Sequence, residues 1–168
     1  MRLFFALWPD ELVAGQLERT TSLLNAVGGA RWVPVSNLHM TLAFIGEVAD
    51  QDLAVMQQIG RSIRAPGFAV VCDELAYWPQ ARAVVAAVRK PPPALHELSQ
   101  RINEAAGLPP TSFRAHVTLV RKVTQAPVLP SMSPIIWRAT HFALVRSQTG
   151  GAASAYTVLD TWPLLYEP

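Results

Sequence analysis

Apolar and polar positions divide the chain into short extended segments and longer segments with helical spacing. Residues 1–8 are almost wholly apolar and aromatic, which is typical of a buried strand. The sequence Pro-Asp-Glu at 9–11 predicts a helix start, apolar residues continue at helical spacing to Leu24, and the glycine pair at 28–29 predicts the helix end. The first thirty residues therefore predict a strand followed by a helix.

The pattern of apolar and polar positions predicts further strands and helices along the rest of the chain. Two more helices are predicted at 50–64 and 94–106, because apolar positions recur at helical spacing and glycine or proline follows each segment. Extended segments are predicted at 31–36, 39–45, 68–78, 83–89, 116–121, 135–145 and 155–159. Strands and helices are interleaved without a long linker, so the pattern predicts one domain over residues 1–168, of the α+β or α/β class.

A weak internal repeat is the most informative feature of this order. In each half an apolar strand leads through proline into a helix, a glycine ends the helix, and an arginine-containing segment precedes a strand of the form His-x-Thr-Leu. The two motifs begin at His39 and His116. Duplicated halves related by a pseudo-two-fold axis would bring these two strands together.

Composition narrows the class of protein. With 51% hydrophobic and 15% charged residues over 168 positions, the chain is too apolar to be disordered. Its net charge of +2 does not indicate a protein that wraps duplex DNA, although 12 of its 14 basic residues are Arg, which suits a few fixed phosphate contacts. The lone Cys72 excludes an internal disulfide and is expected to be an inert, packed thiol. The absence of a long apolar segment or a signal-peptide pattern predicts a soluble cytoplasmic protein.

The two His-x-Thr strands point to catalysis. Side chains alternate between the faces of a strand, so His39 shares a face with Thr41, and His116 shares a face with Thr118. The residues between them are apolar and predict the core face, so each imidazole and each hydroxyl faces the other way. We expect the two strands to line one polar groove.

This groove has the groups that displacement at a phosphodiester requires. One proton must leave the nucleophile and another must reach the departing oxygen, and imidazole exchanges protons near neutral pH. Threonine hydroxyls can donate hydrogen bonds to the phosphate oxygens. Such a site requires no metal and no cofactor, and the chain contains neither an H-E-x-x-H motif nor a paired Asp cluster.

With these motifs, nearly the whole chain resembles the 2H phosphoesterases, and in particular the bacterial RNA 2′,3′-cyclic phosphodiesterases, historically called 2′-5′ RNA ligases. The sequence RLFFALWP at 2–9 is similar to the family's first strand, and NLHMTLAFIG at 37–46 and FRAHVTLVR at 113–121 resemble its two motifs. RSQ at 146–148 and YTVLDTWPL at 156–164 are similar to its last strands. One departure is Ala115, where the family commonly has proline, and it should affect loop rigidity more than chemistry.

The resemblance implies a bilobal α+β fold in which two antiparallel sheets line a central cleft and the helices lie outside. It also implies hydrolysis of a 2′,3′-cyclic phosphate to a 2′-phosphomonoester without metal. His39 would be the proton donor to the departing 3′ oxygen and His116 the proton acceptor from water. Thr41 and Thr118 would hold the phosphate oxygens, with Arg121 adding charge. The acid and base roles come from the resemblance alone, and the same residues would serve the reverse 2′-5′ ligation.

Four further residues are candidates for substrate binding. Arg121 is out of phase with His116 by simple alternation, so a bulge or the strand end would have to turn it toward the groove. Lys122 is in phase with His116 and Thr118 and is the alternative to Arg121 as the phosphate ligand. Phe5 and Tyr156 could stack on an RNA base, and the alternative for both is core packing.

Other charged residues and other functions stay open at this point. Arg31 and Arg114 precede the motifs and could either reach RNA phosphates or remain solvated. His96 is expected on a helix surface, and His141 has no partner motif.

A binding module for RNA ends without catalysis is an alternative function, as is the same chemistry on ADP-ribose cyclic phosphate or a 2′-5′ oligonucleotide. The expected partner is an RNA end or a small cyclic nucleotide, with the chain as a monomer.

Overall fold

The computed structural model describes residues 1–24, 29–110, 112–148 and 155–166. The helices of these residues are α1 (Glu11–Ser22), α2 (Leu53–Ser62) and α3 (Pro93–Ala105). The strands are β1 (Arg2–Leu7), β2 (Arg31–Trp32), β3 (Met40–Glu47), β4 (Phe68–Cys72), β5 (Glu74–Trp78), β6 (Ala83–Ala87), β7 (His116–Arg121), β8 (Ile135–Ala139), β9 (His141–Gln148) and β10 (Ala155–Pro163). Short 3-10 turns occupy Val35–Asn37 and Asp50–Asp52.

The strands of the described residues form three antiparallel sheets. One has the order β10-β9-β1-β3, the second has the order β2-β7-β6-β5, and β4 pairs with β8 in the third. Helix α3 lies against β3, α1 lies against β7 and β8, and α2 lies against β9 and β10. The fold is therefore α+β, as predicted.

The two four-stranded sheets repeat the same arrangement around the His strands. In one, β1 is followed by α1 and pairs with β3; in the other, β6 is followed by α3 and pairs with β7. These are the two halves of the internal repeat found in the sequence. The strands β3 and β7 also lie in contact with each other. The two His-x-Thr motifs therefore come from neighbouring strands, β3 at the edge of the first sheet and β7 next to the edge strand β2 of the second.

The ends of the helices follow from local chemistry. Asp10 caps α1 by accepting a hydrogen bond from the Val13 amide at 2.8 Å. The last turn of α1 carries consecutive hydroxyl side chains that bond to backbone carbonyls of the same helix, and α1 ends at Ser22, before the glycine pair predicted to stop it. Of that pair, Gly28 lies outside the described residues. Gly107, with φ of 66°, follows α3 as predicted.

Two predicted strands are each divided in the structure. The predicted strand 68–78 is broken at Asp73, whose carboxylate accepts hydrogen bonds from the Arg89 backbone and side chain at 3.1 and 3.0 Å. The two parts join different sheets, as β4 and β5. The predicted strand 135–145 is broken at Thr140, whose carbonyl accepts from Leu164, and its parts become β8 and β9. Alternation alone cannot show that a strand changes sheets.

The remaining differences are smaller. Only Arg31 and Trp32 of the predicted segment 31–36 pair as a strand, because a 3-10 turn begins at Val35. The last strand continues to Pro163, beyond its predicted end. The glycine pair at 150–151, predicted to join the last two strands, lies outside the described residues.

A continuous core fills the space between sheets and helices. Its largest fully buried side chains include Trp137, Phe5 and Phe142. Cys72 is fully buried in this core, and burial raises the pKa of its thiol to about 12, as expected for an inert thiol. None of the helices in the described part of the chain is long and apolar enough to cross a membrane.

Candidate active site

The predicted alternation of the two His motifs is present in the structure. Met40 and Leu42 are buried, as are Val117 and Leu119, whereas both histidines and both motif threonines are only partly buried. The apolar residues face the core, and their burial sets the orientation of each strand. The imidazoles and hydroxyls consequently lie on the opposite face of each strand.

A β-bulge in each His strand changes the phase of the residues that follow. In β7, Thr118 pairs with Val85 and Val120 pairs with Val84, so Leu119 is the extra residue. Leu119 and Val120 are both buried, which places Arg121 on the face of Thr118. The bulge that Arg121 requires in order to face the groove is therefore present.

The same bulge occurs at the equivalent place in β3. Thr41 pairs with Ala6 and Ala43 pairs with Phe5, so Leu42 is the extra residue. Leu42 and Ala43 are both buried, and Phe44 is turned to the face of Thr41. Phe44 in β3 thus occupies the place that Arg121 occupies in β7.

Helix α3 satisfies the backbone carbonyl at the β3 bulge. The buried Ser99 hydroxyl donates to the Leu42 carbonyl at 2.6 Å, and the Asn103 amide donates to the same oxygen at 3.2 Å. A bulge leaves its extra residue without a ladder partner, and a buried unpaired carbonyl is costly. These two bonds stabilise the bulge that sets the positions of Thr41 and Phe44.

A cavity of about 320 Å³ opens beside β3. Its walls are formed by Arg2, Phe4, His39, Thr41, Phe44, Arg121, Ser147 and Tyr156. One predicted catalytic histidine, one predicted threonine and two predicted binding residues thus meet in one space. Strand β7 contributes Arg121 to this wall, whereas His116 and Thr118 lie on the same strand outside it.

Aromatic rings surround His39. Trp8 stacks on the imidazole with ring centroids 5.3 Å apart and an interplanar angle of 4°, and the rings of Phe4 and Tyr156 lie at 4.9 and 5.1 Å. Its Nδ1 lies 2.7 Å from the Asn37 carbonyl. Because a carbonyl only accepts, Nδ1 carries the hydrogen and Nε2 is the nitrogen that titrates.

His116 has the same backbone bond in a different environment. Its Nδ1 lies 2.7 Å from the Arg114 carbonyl, two residues earlier, as in the His39 motif. Among the described residues one aromatic ring contacts it, that of Trp78, with centroids 4.3 Å apart. The Arg114 guanidinium lies 4.0 Å from the centroid of that Trp78 ring, so a cation is held close to this imidazole.

These surroundings lower the pKa of both imidazoles. Burial is the largest cause for His39 and lowers its pKa to about 4, with smaller contributions from the charges of Arg121 and His116. Burial also lowers the pKa of His116, helped by Arg114 and Arg121. Arg121 therefore acts on both histidines and His116 acts on His39, so the three groups lie within electrostatic reach of one another.

Two predicted binding residues do not reach the cavity. Phe5 is fully buried and contacts the rings of Phe142 and Trp162, so the alternative of core packing is the correct one. Lys122 is exposed outside the cavity wall with φ of 59°, because the bulge gives its predicted place to Arg121. His96 is exposed on α3, where its ring contacts Phe113.

Several residues that line the cavity or contact the histidines were not predicted from the sequence. Phe4 lies beside Phe5 in an apolar run, and no local signal shows which of the two faces the cavity. Phe44 could have been found by carrying the bulge of one motif onto the other, since both follow the threonine by three positions. Trp8 directly follows β1 and Trp78 belongs to β5, so their contacts with the histidines depend on sheet pairing.

Comparison with known proteins gives the family. Residues 7–87 match the family described as LigT like phosphoesterase. The curated RNA 2′,3′-cyclic phosphodiesterase of Escherichia coli strain K12 is 29% identical over 170 residues, which cover 97% of this chain and 96% of that protein. The crystal structure of E. coli LigT complexed with NADP+ is 31% identical, covers 97% of each chain and has a TM-score of 0.89. The chain belongs to the LigT-like phosphoesterases.

A further structure of E. coli LigT, complexed with 3′-AMP, is 30% identical and has a TM-score of 0.89, with 97% of each chain covered. The predicted 2H phosphoesterase family, its α+β fold and the assignment as an enzyme are therefore confirmed. Among the described residues of this LigT-like chain, no three His, Cys, Asp or Glu side chains lie close enough together to hold a metal ion.

Proposed function

We propose that the chain hydrolyses a 2′,3′-cyclic phosphate at the end of an RNA to a 2′-phosphomonoester, using its two motif histidines as acid and base. The observation that carries this proposal is the cavity shared by His39, Thr41 and Arg121, with His116 within electrostatic reach. The curated relative named RNA 2′,3′-cyclic phosphodiesterase, similar over almost the whole chain, supports the substrate class.

The reaction needs two proton transfers on opposite sides of the phosphorus. In the proposed step His116 Nε2 accepts a proton from water as the water oxygen forms its bond to phosphorus. The bond from phosphorus to the 3′ oxygen breaks, and His39 Nε2 gives its proton to that oxygen. The products are a 2′-phosphomonoester and a 3′ hydroxyl, and the backbone bonds at Asn37 and Arg114 hold Nδ1 of each ring in the required tautomer.

Charge grows on the non-bridging oxygens during this step. The hydroxyls of Thr41 and Thr118 share a face with the histidines of their strands and can donate to those oxygens. Arg121, turned to that face by the β7 bulge, adds a planar cation that suits phosphate. Each group is proposed to bind more strongly as the oxygens become more negative.

The unequal environments of the two histidines bear on their roles. In the free chain the low pKa of His39 favours a neutral ring at pH 7, which by itself suits a base rather than the donor that the family resemblance implies. A bound phosphate anion favours the charged form and raises the pKa of a neighbouring imidazole. We therefore propose that His39 acquires its proton when the anionic substrate binds.

Sulfate tests this step without turnover, because sulfate carries no titrating group in this pH range. The His39 and His116 resonances are titrated by NMR with and without saturating sulfate. We expect sulfate to raise the pKa of His39 and to bind more tightly at pH 5 than at pH 7.5, since binding takes up a proton. An unchanged His39 titration under saturating sulfate would exclude His39 as an anion-charged donor.

The function itself is tested by product analysis. We expect turnover of a nucleoside 2′,3′-cyclic phosphate in excess chelator, with the 2′-phosphate as product and a bell-shaped pH–rate profile. A panel with ADP-ribose cyclic phosphate and a 2′-5′-linked oligonucleotide separates the alternative substrates, and incubation with 2′,3′-cyclic phosphate and 5′-hydroxyl ends tests the reverse ligation. Tight binding of the cyclic phosphate without product would instead favour the non-catalytic binding module.

The cellular setting stays a prediction. We propose a monomeric, single-domain protein of two pseudo-symmetric lobes that acts in the cytoplasm on RNA ends.

A further inference from the structure

An arginine pair lies across the two strands at the edge of the proposed active site. Arg31 of β2 is directly opposite Arg121 of β7 in their antiparallel ladder. Directly opposite residues point to the same face of a sheet, with Cβ atoms about 5 Å apart. Because Arg121 lines the cavity beside His39, Arg31 stands on the same face one strand further out.

The next pair in the ladder confirms this orientation. Trp32 is opposite Val120, and these residues lie together with Val84 and Val123 around a separate apolar depression on the other side of the sheet. Since neighbours on a strand alternate, Arg31 must face away from that depression. Both arginines are exposed, so their guanidinium groups are accessible to a ligand.

This pair places two like charges next to each other, and no ion pair with an acid balances them in the part of the chain that the structure describes. Like charges directly opposite on neighbouring strands are destabilising. The ion pairs found within the described ranges use the amino terminus, Arg61 and Arg89, and none includes Arg31 or Arg121. An anion bound at each guanidinium would remove the repulsion. A polyanion, which carries neighbouring negative charges in one molecule, would supply both anions.

We propose that Arg31 binds the phosphodiester that links the terminal nucleotide to the preceding one, so that the site selects an oligonucleotide end over a mononucleotide. The inference rests on the proposed function, in which Arg121 holds the terminal phosphate. In an RNA strand the next anion along the chain is the adjacent phosphodiester, and each nucleotide carries one such charge. A guanidinium fork one strand away from Arg121 is placed to bind it.

The test compares two product-like ligands, which makes it independent of turnover. Dissociation constants are measured for a nucleoside 2′-monophosphate and for a dinucleotide that ends in the same 2′-phosphate, over a range of salt concentrations. We expect the wild-type chain to prefer the dinucleotide, and Arg31→Gln to reduce that preference by about tenfold. The salt dependence for the dinucleotide should also weaken by about 0.7 in log–log slope, as for one lost contact to a single strand.

Two variants serve as controls. Arg121→Gln should weaken both ligands together, because it contacts the phosphate that they share. Arg19→Gln removes the same charge from the exposed surface of α1 and should leave the preference unchanged. Equal affinity of the wild-type chain for the two ligands, or an unaltered preference in Arg31→Gln, would overturn the proposal. Hydrolysis of the mononucleotide cyclic phosphate, measured separately, decides the proposed function whichever way the preference falls.

Discussion

The aromatic enclosure of His39 predicts an unusual dependence of stability on pH. Trp8, Phe4 and Tyr156 surround the imidazole, and its burial lowers the pKa to about 4. In the unfolded chain the same group has the ordinary value of 6.5. Between these two pH values the unfolded chain binds more protons than the folded chain, so the free energy of unfolding falls as the pH drops from 6.5 towards 4.

The size of the effect follows from the two pKa values. Between pH 7 and pH 4.5, His39 alone removes about 2 kcal/mol of stability by this linkage, given its folded pKa of about 4. His116 adds to the loss in the same direction, because burial lowers its pKa as well. Replacing His39 by asparagine removes only the first contribution, since asparagine does not titrate.

Urea unfolding at the two pH values measures the difference. We expect the stability of His39→Asn to fall by about 2 kcal/mol less than that of the wild-type chain, which corresponds to about 1 M urea in the midpoint shift. His96→Asn, at an exposed site on α3, is the matched control and should follow the wild type. If His39→Asn and the wild type lost the same stability, the imidazole would not be held neutral by its aromatic neighbours.

Three further predictions test separate parts of the structure. Arg121→Gln should lower kcat/KM for the cyclic phosphate by about 10- to 100-fold through loss of a charged phosphate contact, while Lys122→Gln, outside the cavity, should change it less than about twofold; equal losses would contradict the bulge-based assignment. Ser99→Ala removes the buried hydroxyl that bonds the β3 bulge, and should cost about 1–3 kcal/mol in denaturant unfolding and lower kcat; wild-type values for both would show that the bulge does not depend on this bond. Gly60→Ala should cost about 1–3 kcal/mol in thermal unfolding without slowing the remaining folded enzyme, because a Cβ there would overlap the Trp162 ring; an unchanged Tm would contradict that packing.

The orientation of side chains within each motif could be predicted from the sequence, whereas the way distant segments come together to form the site could not. Alternation within each His-x-Thr strand was enough to predict that Met40 and Val117 face the core and that the motif side chains face away. The internal repeat predicted that the two His strands occupy equivalent places in the two halves. A repeat can be recognised from the order of strands and helices along the chain alone. These features depend on neighbours in the chain, which a single sequence displays directly.

What could not be predicted depends on pairing between distant segments. The bulges that turn Arg121 and Phe44 to the cavity exist only relative to β6 and β1, and for Arg121 alternation alone gave the wrong phase. Phe4 and Phe5 are chemically identical neighbours, and the position of β1 in its sheet decides which of them reaches the cavity. The stacking of Trp8 on His39 likewise follows from the pairing of β1 with β3.

The most direct test of the account is single-turnover hydrolysis of a nucleoside 2′,3′-cyclic phosphate by His39→Ala, His116→Ala and the double variant in excess chelator. If both imidazoles act on one phosphate, each single variant should be slower by about 10²- to 10⁴-fold, and the double variant should be hardly slower than either, because the two groups act as a unit. A single variant that turns over at the wild-type rate would contradict the shared acid–base site.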